Sequence, residues 1–170
     1  MKLLQALGSG QGYLKAGFLG FPKSGKTYTA LLLAMGAKKE MGAEGPIAML
    51  DTEGGSEYVH SMVKEGTGHD LLGVRSRSFD DLLAVGQECV KEGVGVLVVD
   101  SVSHVWRELC DAFLTNVNKQ RAKRNLRPRH NLEFQDWNPL KAQWGKWTDF
   151  YLNAPLHIII CGRAGFEYDF

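Results

Sequence analysis

Short apolar runs alternate with longer segments of helical period along this chain. "LKAGFLG" (Leu14 to Gly20) predicts a strand that leads into a glycine-rich loop. From Lys26 to Met41 the pattern predicts a helix, and its apolar centre "ALLLAM" predicts burial on more than one side. "PIAMLD" (Pro46 to Asp51) predicts a second strand, ending in an acid, and "LLGVRS" (Leu71 to Ser76) a third and more exposed one. Phe79, Leu82, Leu83, Gly86 and Val90 then recur at helical spacing, behind Ser78 as N-cap with Asp81 three residues on.

"VGVLVVDS" (Val94 to Ser101) is the clearest strand pattern. A long helix from about Val102 follows, with Val105 or Trp106, Leu109, Phe113 and Val117 on one face, until "RPRHN" (Arg127 to Asn131) breaks it. Leu140, Trp144, Trp147 and Tyr151 mark another helix with a core-facing side; Pro155 ends it, and "LHIIICG" (Leu156 to Gly162) is a last strand. Strands alternating with helices predict an α/β fold, a mostly parallel sheet with helices on both faces. No repeat, low-complexity block or linker divides the chain, so residues 1–170 are expected to form a single domain.

Composition adds mainly exclusions. The 170 residues are 44% hydrophobic and 23% charged, with a net charge of +1, so attraction to nucleic acid or membrane must be local if present. Cys89, Cys110 and Cys161 are odd in number and widely spaced, which fits a reduced cytoplasmic protein, and no Cys or His spacing suggests structural zinc. The opening "MKLLQALGSGQG" is too short for a signal peptide, and no apolar run is long enough to span a bilayer.

Candidate chemistry begins with Gly20-Phe21-Pro22-Lys23-Ser24-Gly25-Lys26-Thr27, which reads G-x-x-x-x-G-K-T between a predicted strand and a predicted helix. Glycines let backbone N–H groups close around phosphate oxygens, and the helix N-terminus adds a positive dipole. Lys26 would reach the β- and γ-phosphates and the Thr27 hydroxyl would ligate Mg²⁺; Tyr28 joins the nucleotide-binding set, while Lys23 reads as a solvated cation. Asp100, closing the clearest strand, is placed to hold Mg²⁺, with a helix cap as the alternative. In "MLDTEGGSEYV", Glu53 and Asp51 compete as the carboxylate that polarises the attacking water.

"LDTEGGSEYVHSMV" and "DLLGVRSRSFDDLLAVGQECVKEGVGVLVVDSVSHV" together resemble the RecA-type recombinase and ATPase core, a P-loop fold, in order and spacing from about Leu14 to Val105. The Asp-Thr-Glu-Gly-Gly-Ser variant is most similar to phage-encoded RecA-like nucleotide-binding proteins, some associated with single-strand annealing and recombination. The resemblance implies ATP hydrolysis with Mg²⁺, Glu53 as the catalytic glutamate, and assembly into a homo-oligomer in the host cytoplasm. It weakens after His104. Where the family commonly has a γ-phosphate sensor, Arg163 is the candidate, alternatively a surface cation paired with Glu167 or Asp169. The strands that the family adds after this point are not in the sequence, so the expectation is either a fragment, truncated after the last core strand, or a reduced fold.

"KQRAKRNLRPRH" (Lys119 to His130) holds Lys119, Arg121, Lys123, Arg124, Arg127 and Arg129 and no acid. It falls where RecA-like proteins carry their first DNA-binding loop, which implies contacts to phosphates of single-stranded DNA. A solvated helix terminus and an arginine finger for a neighbouring protomer's nucleotide are the alternatives. Phe134 and Trp137, beside this run, are left between packing and base stacking. The functional rivals to a DNA-dependent ATPase are a nucleotide-gated assembly or loading module and a small P-loop kinase.

Overall fold

Five strands pair in parallel, so their carboxyl ends meet at one edge, and the glycine loop and the acidic motifs lie there. A computed structural model describes residues 12–165. Its strands are β1 (Lys15–Gly20), β2 (Ile47–Asp51), β3 (Leu72–Arg75), β4 (Val96–Asp100) and β5 (His157–Arg163), in the sheet order β1-β5-β4-β2-β3. Residues 1–11, read above for a leader, and the acids Glu167 and Asp169 lie outside the described residues.

The helices are α1 (Lys26–Met41), α2 (His60–Thr67), α3 (Phe79–Lys91), α4 (Val102–Lys123) and α5 (Trp137–Asn153). α1 and α2 cover one face of the sheet, and α3, α4 and α5 cover the other. β4 shows the division most sharply. Val96 and Val98 pack with Ala30, Leu31 and Val63, whereas Leu97 and Val99 pack with Leu82, Leu109 and Leu140, as the strand's two-residue period requires. Burial on both faces is why this strand reads as an unbroken apolar run.

Two expectations change. The helix α2 and the short 3₁₀ turn Gly55–Tyr58 before it were not predicted; α2 buries only Val63, too little for a periodic signal. In α1 the apolar centre is not covered all round: Ala30, Leu31 and Ala34 are buried and Leu33 and Met35 half-buried against the same core, but Leu32 is 45% exposed. β3 is the exposed strand expected, since it lies at the edge. No helix among the described residues is long and apolar enough to cross a membrane.

Gly86 sits inside α3, where glycine costs about 1 kcal/mol of helix propensity relative to alanine. Its reason is packing: a Cβ there would stand 2.6 Å from the Phe150 ring, which stacks on Trp147 in α5. Gly86→Ala should therefore destabilise the fold by about 1–3 kcal/mol, against its propensity gain. Urea unfolding of the variant measures the net effect, and an increase in stability would show that α3 and α5 separate freely.

Candidate active site

The loop from Phe21 to Gly25 joins β1 to α1. Gly25 caps the helix at φ 82°, a left-handed conformation that suits glycine, and brings no side-chain oxygen to the first turn. The first-turn N–H groups are thus directed at whatever oxygens the loop encloses. Lys26 Nζ donates to the Phe21 carbonyl oxygen at 2.8 Å, across the loop. Lys23 is exposed, as expected of a solvated cation. A cleft of about 320 Å³ is lined by Pro22 to Tyr28 together with Glu53, Tyr58, Val59 and Asp100.

Asp100 is buried at the end of β4, and its carboxylate accepts a hydrogen bond from the Thr27 hydroxyl. Burial pushes the Asp100 carboxyl above its ordinary range; the Thr27 bond opposes this, and the charges of Glu53 and Asp51 reinforce it. A buried carboxylate beside a hydroxyl is a hard oxygen donor pair that fits Mg²⁺, and a cation there would offset the cost of burying the charge. Among the described residues no group of three or more acids, histidines or cysteines forms a metal cage. This suits an ion whose remaining ligands are phosphates and water. The cap position of α4 is Ser101, whose side chain makes no cap bond, and the Asp100 carboxylate is bonded to Thr27 instead. The Asp100–Ser101 peptide bond is cis.

Asp51 and Glu53 stand in different surroundings. Asp51 is buried, and its two carboxylate oxygens accept the backbone N–H groups of Glu53 at 2.9 Å, Gly54 at 2.7 Å and Ser56 at 2.8 Å. Burial pushes its carboxyl up, but the bonds from Ser56, Glu53 and Gly54 outweigh it, and Asp51 stays below the usual range. Asp51 therefore shapes the turn that presents Glu53. The Glu53 carboxylate reaches the cleft and is held by Arg163 through two bonds, Nε to Oε1 at 2.8 Å and Nη2 to Oε2 at 2.6 Å. The Arg163 bond lowers the Glu53 carboxyl, and burial only partly opposes it. Parallel register opposes Arg163 to Gly20 and Asp100 to Asp51, so the glycine loop, Asp100 and the turn that carries Glu53 share one edge.

Sequence reasoning missed the supports behind this pair. Thr52 Oγ1 accepts the Ser101 N–H at 2.8 Å and lies 2.7 Å from His104 Nδ1, which is itself 3.7 Å from Glu53 Oε1. Burial, then the neighbouring Arg163, lowers the His104 pKa, so the ring is neutral near pH 7. Ser103 Oγ accepts the Arg163 N–H at 2.9 Å. The available signal was polar residues in the first turn of the helix that follows Asp100.

The basic run forms an arm. Leu109 is the last buried residue of α4, leaving about 20 Å of helix beyond it at ~1.5 Å per residue. The chain then returns alongside: Arg121 Nε donates to the Arg127 carbonyl, and Asn118 bonds the Arg129 backbone through both N–H and C=O. Lys119, Lys123, Arg124 and Arg127 are exposed and Arg121 is half-buried. Arg129 departs from its expected role as a phosphate contact. Its guanidinium is only 11% exposed and is tied to Glu133 and Asp136, acids that lie just past the stretch read as purely basic.

Phosphate loop, strand-end aspartate and doubly covered parallel sheet are shared by P-loop nucleotide-binding proteins, and the chain falls in that class. A family model described as "AAA domain" matches residues 13–169, so the chain belongs to the AAA domain family, whose members are generally ATPases. No curated protein matches the chain.

Asp51→Asn tests the turn-shaping role. An amide cannot accept at both positions, and hydrogen bonds to a charged group contribute ~1.5–3 kcal/mol each, so the loss should be about 2–3 kcal/mol. A folded pKa below the unfolded one stabilises the protein above about pH 4 and is lost as pH falls through the folded value. The variant should therefore also flatten the acid limb of stability against pH. Wild-type stability at both ends of that scan would remove Asp51 from this role.

Proposed function

We propose that this AAA domain binds ATP, hydrolyses it at Glu53 and couples turnover to single-stranded DNA, in the phage-type recombination or replication that the RecA-like resemblance implies. The observation that carries this reading is the convergence of the loop, the Thr27–Asp100 pair and the Glu53–Arg163 pair on one cleft. Residues Gly20 to Thr27, with Tyr28, hold the phosphates, and Lys26 neutralises charge at the β- and γ-positions. Thr27 and Asp100 hold Mg²⁺, which when bound neutralises charge on the phosphates. Exposed Lys119, Lys123, Arg124 and Arg127, with Arg121, neutralise DNA phosphates. The protein works as a homo-oligomer in the cytoplasm.

Glu53 takes a proton from the attacking water, and Arg163 controls when it can. A bidentate guanidinium takes one lone pair on each carboxylate oxygen and lowers the basicity of the rest. Turning Arg163 from Glu53 to the γ-phosphate frees the carboxylate and raises its basicity. The same hold on Glu53 favours the second reading, a nucleotide-gated assembly module with little turnover. Measuring ATP hydrolysis with and without single-stranded DNA separates the two: DNA-stimulated release of phosphate supports the first, and a flat low rate supports the second.

Lys26→Ala should abolish ATP binding by calorimetry; wild-type affinity would remove the loop assignment. Glu53→Gln should bind ATP normally and hydrolyse it ~10²–10⁴-fold more slowly. Because Arg163 lowers the Glu53 pKa in the free enzyme, Arg163→Ala should move the acid limb of kcat/KM to higher pH. An unmoved limb in that variant would mean that Glu53 is not the titrating base.

A further inference from the structure

A second opening lies beside the Glu53–Arg163 pair. It is a groove of about 510 Å³ between the first turns of α4 and the start of α5, walled by Trp106, Trp137, Trp144 and Leu132, with Arg107 at its side. Trp106 and Trp144 meet edge to face, with centroids 5.1 Å apart at 80°, and Trp144 also rests on Phe79 at 5.7 Å. Two walls are thus fixed by packing. The third, Trp137, is 37% exposed, and Phe134, one turn before it, is 91% exposed. Core packing accounts for Trp144 and for the buried Trp147, but it does not account for Phe134 and Trp137 at the surface.

The charge around the groove selects the occupant. Leu132 ends the return segment that carries Arg127 alongside Lys119 to Arg124, so the exposed cations lead into the aromatic walls. Of the acids at this end, Glu133 and Asp136 are tied to Arg129, and Asp111 lies beside Cys110 on the α4 side. Flat apolar groups threaded on a chain of negative charges match that surface. An apolar peptide would leave the cations unmatched, and an acidic peptide would leave the tryptophans unmatched.

We propose that this groove is a base-stacking subsite for single-stranded nucleic acid, with Trp137 as the stacking platform, Phe134 as its exposed neighbour, and the α4 arm holding the adjoining phosphates. The proposal rests on the nucleic-acid part of the function above and adds where the bases go. Stacking tolerates any base, because every base offers a π-face, so the subsite should show little sequence preference.

Intrinsic tryptophan fluorescence and affinity should be measured with oligo(dT), with an abasic oligonucleotide of equal length and charge, and with polyglutamate, all at one salt concentration. Oligo(dT) should quench fluorescence and bind about tenfold or more tighter than the abasic strand, the order expected for one stacked base. Trp137→Ala should erase that difference while keeping abasic binding and wild-type circular dichroism, and Trp137→Phe should restore it in part. Equal binding of both strands without quenching would overturn the stacking site and leave the basic arm standing. No binding of either strand would overturn the arm and the groove together. Quenching by polyglutamate equal to that by oligo(dT) would assign the groove to an acidic protein partner instead.

Discussion

The burial of β4 on both faces constrains everything else in this molecule. A strand with no solvent-facing side has no place for a charge along its length, so Val96 to Val99 must be apolar and the first acid can stand only where the strand ends. Asp100 stands there, still buried, and that burial makes its carboxylate costly without a donor or a cation. Thr27 supplies the donor, and Thr27 is in place because α1 packs on β4 and β5 from the loop onward. Core packing and phosphate-loop geometry are therefore one constraint.

Strand order decides which residues can meet. β5 lies between β1 and β4, so the residue that ends β5 faces both the glycine loop and the β4 acid. Arg163 occupies that position, opposite Gly20, and reaches Glu53 on the turn that follows β2. Asp51 makes this reach possible by fixing three turn N–H groups, those of Glu53, Gly54 and Ser56, with one carboxylate, a satisfied buried charge. Two acids separated by one residue thus take opposite parts. One is saturated by backbone, and the other is held by a partly exposed arginine side chain.

What the sequence made legible follows from the range of the interactions involved. The phosphate loop is local, eight contiguous residues whose chemistry needs no distant partner, and Asp100 is announced by the apolar run that it ends. Most elements followed from periodicity, except α2, whose single buried residue leaves no period to read. Glu53 and Arg163 were identifiable by their places at strand ends, but their pairing spans 110 residues and depends on β5 lying between β1 and β4. The Thr52–His104 bond is hidden for the same reason. Arg129 is a different case: its partners, four and seven residues ahead, were in view, and only the choice of window made the run look acid-free.

α4 is the element common to both halves of the functional reading. Its first turn carries Ser103, which holds the Arg163 backbone, and His104, which lies against Thr52 and Glu53. Its far end carries the cations, and its second turn presents Trp106 to the aromatic groove. Ser103 and His104 stand directly behind the two charge-assisted bonds of 2.6–2.8 Å that hold Glu53 to Arg163. In the DNA-dependent ATPase proposed above, α4 is thus the helix common to both sites, with its first turn against the Glu53–Arg163 pair and its far end exposing cations.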